Sequence, residues 1–385
     1  MKTRLFLIDS FKATLALFYY LIEFILNKNC KKTWLIGERP SEAKDNGFHF
    51  YKYVREEHPN DDIYYIIEKH SKHLSRVDTY GKVIFYNSFK HYYYFFKSEL
   101  IILPFERSTF PRLNLIWYYY RLGLLRKKTV FLQHGITKEL QKHYAYGNRF
   151  KFDLFVCAAQ KECDFVISNM NYTVDNAKAL GFPRFDNLSF GSTSNDIFFM
   201  PTWRQWMKDY TEDEFLNSTY CQEINNLLKN EIFIKFIEDR GIYLKLYLHD
   251  IFQKYSKLIS SPSKNVIICS SSNYDVQELM KNSHVMITDY SSVAFDFAYM
   301  NKLVFYYQFD KADYYARHFQ KGYFDCDQHG FGPVLENSAE LVDSIIHYYN
   351  NEPYLKYINR VKEFYGEKTD RNNSLRVYKA VKELF

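Results

Sequence analysis

Two histidines, one arginine and a pair of serines stand where apolar runs of this sequence give way to polar knots. The run Val130-Phe131-Leu132 ends in Gln133-His134-Gly135. An imidazole at a strand tip, with a glycine beside it to turn the backbone, suits general-base work near neutral pH. A hydrogen-bonded structural histidine fits the same pattern. A second apolar alternation, Leu244, Leu246 and Leu248, ends on His249-Asp250. Two such histidines are harder to ascribe to chance than one. In "FFMPTWRQW", Pro201 stops a strand, and Arg204 offers a planar fork that matches phosphate oxygens. In "MITDYSSVAFDF", Ser291 and Ser292 precede an apparent helix starting at Val293. Helix amides and dipole favour an anion there, and the hydroxyls add donors. Helix capping explains one serine equally well, so both readings stay open. Asp289 beside an anion must be paired or turned away, and its own loop amides are the expected partners.

The absences narrow the chemistry. No GxGxxG follows the first strand, and no GxxxxGK[ST], GxSxG, HExxH or CxxC occurs. The six cysteines (Cys30, Cys157, Cys163, Cys221, Cys269, Cys326) are scattered, as free thiols in a reducing compartment are. No metal site and no cofactor are expected, and the pattern fits metal-free chemistry on a phosphorylated substrate. Hydrophobic residues make up 47% of the 385, enough for large cores. The net charge of +6 suits an anionic ligand or membrane surface. It comes without a Lys/Arg block of the kind that grips nucleic acid, so no nucleic-acid partner is expected.

Short apolar runs alternating with helical stretches must position these groups. Strands are expected at Thr33–Ile36, Asp62–Ile67, Val83–Tyr86, Leu100–Leu103, Thr129–Gln133 and Leu154–Ala158. A helix is expected at Asn46–Glu57, and a turn-rich exit at Asn176–Asn187. The pattern restarts with strands at Asp196–Met200, Tyr243–Leu248, Val266–Cys269, Val285–Thr288 and Val304–Tyr307. One helical stretch is expected over Glu223–Arg240, and a helical tail from Ser338. Such alternation predicts parallel α/β layers in two lobes, with ligands at the carboxyl ends of strands. "NLSFGSTSND", Asn187–Asp196, is the expected linker. The division is residues 1–30 as an N-terminal membrane-associated helix, 31–187 as an acceptor-side lobe, and 188–385 as a donor-side lobe with its tail. The apolar stretch Ala13–Leu26 is interrupted by Glu23 and falls short of the ~20 residues that span a bilayer. Flanking Lys2, Arg4, Lys12, Lys28, Lys31 and Lys32 point to an interfacial helix instead.

Taken in order, these segments resemble the CDP-glycerol glycerophosphotransferase family of teichoic-acid primases, polymerases and capsule polyol-phosphate transferases. The carriers are Gln133-His134-Gly135, Gly181-Phe182-Pro183-Arg184-Phe185-Asp186, Pro201-Thr202-Trp203-Arg204, His249, Ile287-Thr288-Asp289-Tyr290-Ser291-Ser292 with Phe295-Asp296-Phe297, and Gly332-Pro333-Val334. The resemblance runs from about Lys31 to the C-terminus. It implies a GT-B-like fold of two Rossmann-like lobes facing a cleft, peripheral on the cytoplasmic face of the membrane. It implies transfer of a polyol phosphate from a CDP-alcohol to a lipid-linked or oligosaccharide acceptor, with release of CMP. His134 then takes the acceptor's proton, and His249 and Arg204 contact the pyrophosphate. Gly135, Thr288, Ser291 and Ser292 line the substrate site. Lys138 is carried over too, although it stands four residues after His134 where the family places a lysine five residues on. Two rival readings are a nucleotide-sugar glycosyltransferase on the same fold, and an inactive membrane-attached scaffold. Release of a nucleoside diphosphate marks the first, and absence of turnover with any activated donor marks the second.

Overall fold

The computed structural model describes residues 2–26, 32–140, 152–188, 194–318, 321–351 and 354–385. The side chain of Lys2, and Lys28, Cys30, Lys31 and residues 189–193 of the expected linker, lie outside the described residues. Two parallel sheets organise the chain. The first holds β1 (Thr33–Ile36), β2 (Asp62–Ile67), β3 (Val83–Phe85), β4 (Leu100–Leu103), β5 (Lys128–Phe131), β6 (Leu154–Cys157) and β7 (Ala177–Ala179), in the order β3-β2-β1-β4-β5-β6-β7. The second holds β8 (Ile197–Phe199), β9 (Leu244–Tyr247), β10 (Val266–Cys269), β11 (Val285–Thr288), β12 (Leu303–Tyr307) and β13 (Val334–Leu335), in the order β10-β9-β8-β11-β12-β13. Every residue of β1, β4, β6 and β11 is buried. Their largely apolar sequences follow from that, because helices cover both faces of such sheets.

Each sheet reverses its strand order once, between β1 and β4 in the first and between β8 and β11 in the second. At such a point the flanking loops diverge and leave a crevice beyond the carboxyl ends of the strands. Arg204 and the Ser291-Ser292 pair follow β8 and β11, the strands at the second reversal, while His134 and His249 follow β5 and β9, each one strand away from a reversal.

Several expectations shift. The stretch Glu223–Arg240 is two helices, Thr219–Leu228 and Glu231–Asp239, because Asn230 caps the second through its side chain and so breaks the first. The turn-rich exit contains β7, a short edge strand with partly exposed residues. The N-terminal helix spans Lys2–Leu26, longer than its apolar stretch, and is long and apolar enough to cross a membrane by length and composition.

By contacts the chain forms two compact units, residues 1–136, 141–187 and 368–385 in one and 137–140 with 188–367 in the other. The final helix, Asn373–Lys382, was expected with the second lobe but groups with the first. The reason lies in the Gly181–Asp186 segment. Asp186 accepts from the Asn373 amide, the Asn373 side chain and the Ser374 amide, at 2.9, 2.8 and 2.7 Å. A carboxylate thus caps the helix start. Gly181 has φ +81°, and a Cβ on it would stand 1.7 Å from Asn373 Oδ1, so only glycine fits against this helix.

Candidate active site

In the first unit, β5 stops at Phe131, and the chain turns at Gln133 rather than at Gly135. Gln133 is left-handed, with φ 59°. A side chain in that region is strained, and the strain is offset by burial and bonding. Gln133 Nε2 donates to the Val156 carbonyl (2.7 Å) and to Glu162 (3.1 Å). Asn46, fully buried at the start of the helix Asn46–Glu57, donates to the carbonyls of Leu132 (3.2 Å) and Gln133 (2.8 Å). Its Oδ1 accepts from the Arg184 amide at 3.1 Å. One carboxamide therefore holds both peptide units ahead of His134.

His134 is exposed, with one ring face stacked on Phe105 at 4.4 Å. Its Nδ1 lies 3.3 Å from the Pro104 carbonyl, which follows the neighbouring strand β4. A carbonyl only accepts, so the proton stands on Nδ1 and the lone pair on Nε2. The pKa is lowered, first by loss of water from the packed ring, against the opposing pull of Asp45 and with help from Arg39 and Arg184. Asp45 caps the helix through the Asn46 amide (2.7 Å) and pairs with Arg184 at 2.8 Å. Behind it, Glu38 is fully buried and accepts from the amides of Lys44, Asp45 and Phe48, each at 2.8 Å. Burial and the nearby Asp45 push its carboxyl up to about 7.

In the second unit β8 lies between β9 and β11, and β12 follows β11, so the ends of these strands are neighbours. Arg204, just past β8, is 0% exposed. Its Nε and Nη2 bind both oxygens of Asp310, at 2.6 and 2.9 Å. Nη1 donates to the Thr202 carbonyl (2.6 Å) and pairs with Asp289 (2.8 Å). Tyr220, Tyr290, Phe309 and Tyr314 enclose the guanidinium at 5.1 to 5.6 Å. Burial alone would lower its pKa, but the two carboxylates outweigh it and raise the pKa further. The expected phosphate contact by Arg204 is corrected here. The guanidinium is committed to carboxylates from two other strand ends, and it positions the loops that surround it.

Asp289 behaves as expected of a carboxylate turned inwards. Its Oδ1 accepts from the amides of Thr202 (2.8 Å) and Tyr290 (2.6 Å). Thr288 is also corrected, because its buried hydroxyl donates to the Met200 carbonyl at 2.6 Å and ties β11 to the loop after β8. Ser291 Oγ accepts from the Val293 amide at 3.3 Å, which is the capping role. The amides of Ala294 and Phe295 already bond to the carbonyls of Ser291 and Ser292. The half-buried Ser292 makes no side-chain cap bond. The surplus serine is therefore Ser292.

His249 is half-buried at the tip of β9. Its Nδ1 accepts from the Ile251 amide at 3.3 Å, so its proton stands on Nε2. Trp203 lies between His249 (6.0 Å) and His318 (5.0 Å). His318 accepts from the Gln205 amide, and burial followed by Arg204 drives its pKa down to about 4. Lys138 is a further correction. It is buried in an ion pair with Glu139, in a segment that groups with the second unit. A Cβ on Gly322 would stand 1.9 Å from the Lys138 carbonyl, so glycine there lets the segment dock.

The comparisons with known proteins decide the family. A model of the CDP-Glycerol:Poly(glycerophosphate) glycerophosphotransferase family matches residues 18–383. The chain belongs to this family. It is 34% identical over 389 aligned positions to the minor teichoic acid biosynthesis protein GgaB of Bacillus subtilis. That match covers 97% of this chain but 42% of GgaB, so the chain spans about two-fifths of that relative. The wall teichoic acid polymerase TagF shares the fold with a TM-score of 0.66, at 16% identity, over 97% of this chain and 99% of that structure. A UDP-GlcNAc 2-epimerase from Neisseria meningitidis, bound to UDP-GlcNAc, shares it at 0.56, with 11% identity over 92% of this chain and 100% of that one. The fold is thus common to different chemistries, and the strand-end residues must separate them.

Within this glycerophosphotransferase family chain, His134 and His249 stand at strand tips as expected. Asn46, Glu38, Asp310 and His318 were missed. A buried arginine signals that carboxylates must be found for it, and Asp310, three residues past an apolar strand, was the available clue.

Proposed function

We propose that the protein transfers a polyol phosphate, glycerol phosphate first among candidates, from a CDP-alcohol to an acceptor hydroxyl in teichoic acid synthesis. One observation carries the reading: the two strand-end histidines hold opposite tautomers. His134 presents a lone pair on Nε2, and His249 presents a proton there. In the reaction the acceptor oxygen forms the new bond to the polyol-bearing phosphorus and gives its proton to His134 Nε2. The bond from that phosphorus to the bridging oxygen breaks, and CMP leaves with the electron pair. In the second unit, His249 Nε2–H and the hydroxyls of Ser291 and Ser292 are the donors suited to phosphate oxygens, on which charge grows as the bond breaks. Gly135 leaves room for the acceptor beside His134. The test is incubation with CDP-glycerol or CDP-ribitol and a teichoic-acid acceptor. CMP should be released in step with acceptor extension. Release of a nucleoside diphosphate from a nucleotide sugar, with no CMP from either CDP-alcohol, would overturn the proposal.

The N-terminal helix supports attachment to a membrane surface. Its protein-facing stripe is polar or small: Asp9 pairs with Arg112 (2.8 Å), Lys12 donates to the Asn87 carbonyl (3.0 Å), Glu23 pairs with Lys97 (2.7 Å), and Ala13 and Ala16 are buried. The outward residues are the large apolar ones, among them Leu7 (63% exposed), Phe11 (70%), Phe18 (59%) and Phe24 (60%). A soluble surface helix has the reverse arrangement. Three side-chain ties to the unit favour a helix lying in the interface over one crossing the bilayer. Each phenylalanine contributes roughly 1.5–3 kcal/mol on burial, so Phe11→Glu with Phe18→Glu should weaken binding to anionic vesicles by at least about 100-fold. Vesicle sedimentation reads this, and equal sedimentation of both proteins would contradict it.

A further inference from the structure

The first unit holds a cavity that the proposed chemistry leaves unused. It measures about 200 Å³ and opens between the helix Asn46–Glu57 and the segment Arg76–Tyr80. That is about seven times the ~30 Å³ a water takes in the liquid. Phe48 and His49, 2% and 4% exposed, form its floor. Lys52 and Arg76 bring their charges to it, and Asn187 lies at its edge, held by a 2.9 Å bond to His49. Arg76 lies over the Phe48 ring at 4.2 Å and donates to the Ala43 carbonyl at 3.4 Å, so its fork is placed rather than loose. Among the described residues the single ion pair of these two cations is Lys52 with Glu56, at 4.0 Å and partly exposed. The wider surroundings are also positive. His73 has a lowered pKa, first from burial and then from Lys72, Lys44 and Arg76.

The cavity is linked to the catalytic histidine by one helix. Asn46, which holds the peptide units ahead of His134, starts the helix that carries Phe48, His49 and Lys52. Asn46 and Lys52 are six positions apart, roughly 9 Å along the helix axis. An aromatic floor with two incompletely neutralised cations suits a phosphate carried on a small polyol.

We propose that this cavity binds a phosphate group of the acceptor, so that the enzyme favours an acceptor already carrying a polyol phosphate. The idea rests on the transferase reading for the identity of the anion, but not for the existence of the site.

The test is calorimetric titration of the full chain, with the donor site occupied by excess CMP, using sn-glycerol 3-phosphate, inorganic phosphate and glycerol in turn. Both phosphates should bind, and glycerol should not. Lys52→Gln with Arg76→Gln should weaken phosphate binding at least tenfold, with melting temperature and CMP affinity unchanged. Phosphate binding that is absent in the wild type, or unchanged in the double variant, overturns the proposal. A third arm uses phosphatidylglycerol vesicles. If the double variant loses vesicle binding and keeps its affinity for glycerol phosphate, the cations serve a lipid headgroup and the proposal also fails. No arm reads turnover, so a protein that releases no CMP from CDP-alcohols would defeat the transferase reading and leave the anion site standing.

Discussion

His134→Ala should lower turnover by about 10²–10⁴-fold and leave the affinity for CDP-glycerol within a few-fold of the wild type. A hydroxyl is a poor nucleophile for phosphorus, and its proton must leave as the new bond forms. The imidazole is held for that task from two sides. The Pro104 carbonyl fixes the tautomer, and the Asn46 side chain holds the peptide units that aim the ring. The same environment sets the pH profile. Loss of water from the ring face packed on Phe105 disfavours the imidazolium, so the pKa falls below the usual 6.5. The base works when neutral. Activity is therefore kept as pH falls through 6.5, and the acid limb of kcat/KM should lie below that value. An acid limb at or above 6.5, or full turnover in the alanine variant, would remove His134 from the role of base.

Arg204→Met should destabilise the fold by about 3–5 kcal/mol, because Asp289 and Asp310 would remain buried without their counter-charge. Asp289 and Asp310 are 1% and 8% exposed at their side chains, so water cannot take the place of the guanidinium. Arg204→Lys should recover only part of the loss. A lysine cannot bind both oxygens of Asp310 and reach Asp289 with one planar group. Urea unfolding measures both variants. An unchanged unfolding midpoint combined with weaker CDP-glycerol binding would restore the direct phosphate contact first expected of this residue. The destabilisation should also loosen the loop after β11, since Asp289 holds the Thr202 and Tyr290 amides only while it is itself held.

The strands were legible where a run is apolar throughout, as in β4 and β6, because burial on both faces leaves no polar position to confuse the period. The edge strand β7 was hidden because it is short and partly exposed. The helix Phe89–Lys97 was hidden because its run of tyrosines and phenylalanines blurs the contrast between faces. At the site, both histidines were readable from their place at strand tips. Arg204 was found but its role was not, because Asp310 lies 106 residues further along the chain and only the sheet order brings the two together. Lys138 was misread for a related reason. Its neighbour Glu139 takes its charge, and the segment docks on Gly322, which spacing from His134 does not reveal. Gln133 replaced the expected glycine turn because buried bonds to Val156 and Glu162 stabilise a backbone conformation that the residue type alone would avoid.

Asp186 and Gly181 dock the last helix of the chain on a unit that is otherwise finished by residue 187. During synthesis that unit leaves the ribosome almost complete and then waits through 180 residues of its neighbour (188–367) for its closing segment. Until then the Asp186 carboxylate has no helix to cap, and the surface meant for the helix Asn373–Lys382 stays wet. The first unit can therefore mature only once residues 368–385 have been made. A chain cut short anywhere before residue 368 leaves it unfinished, so a premature stop is recorded in the half of the protein made first.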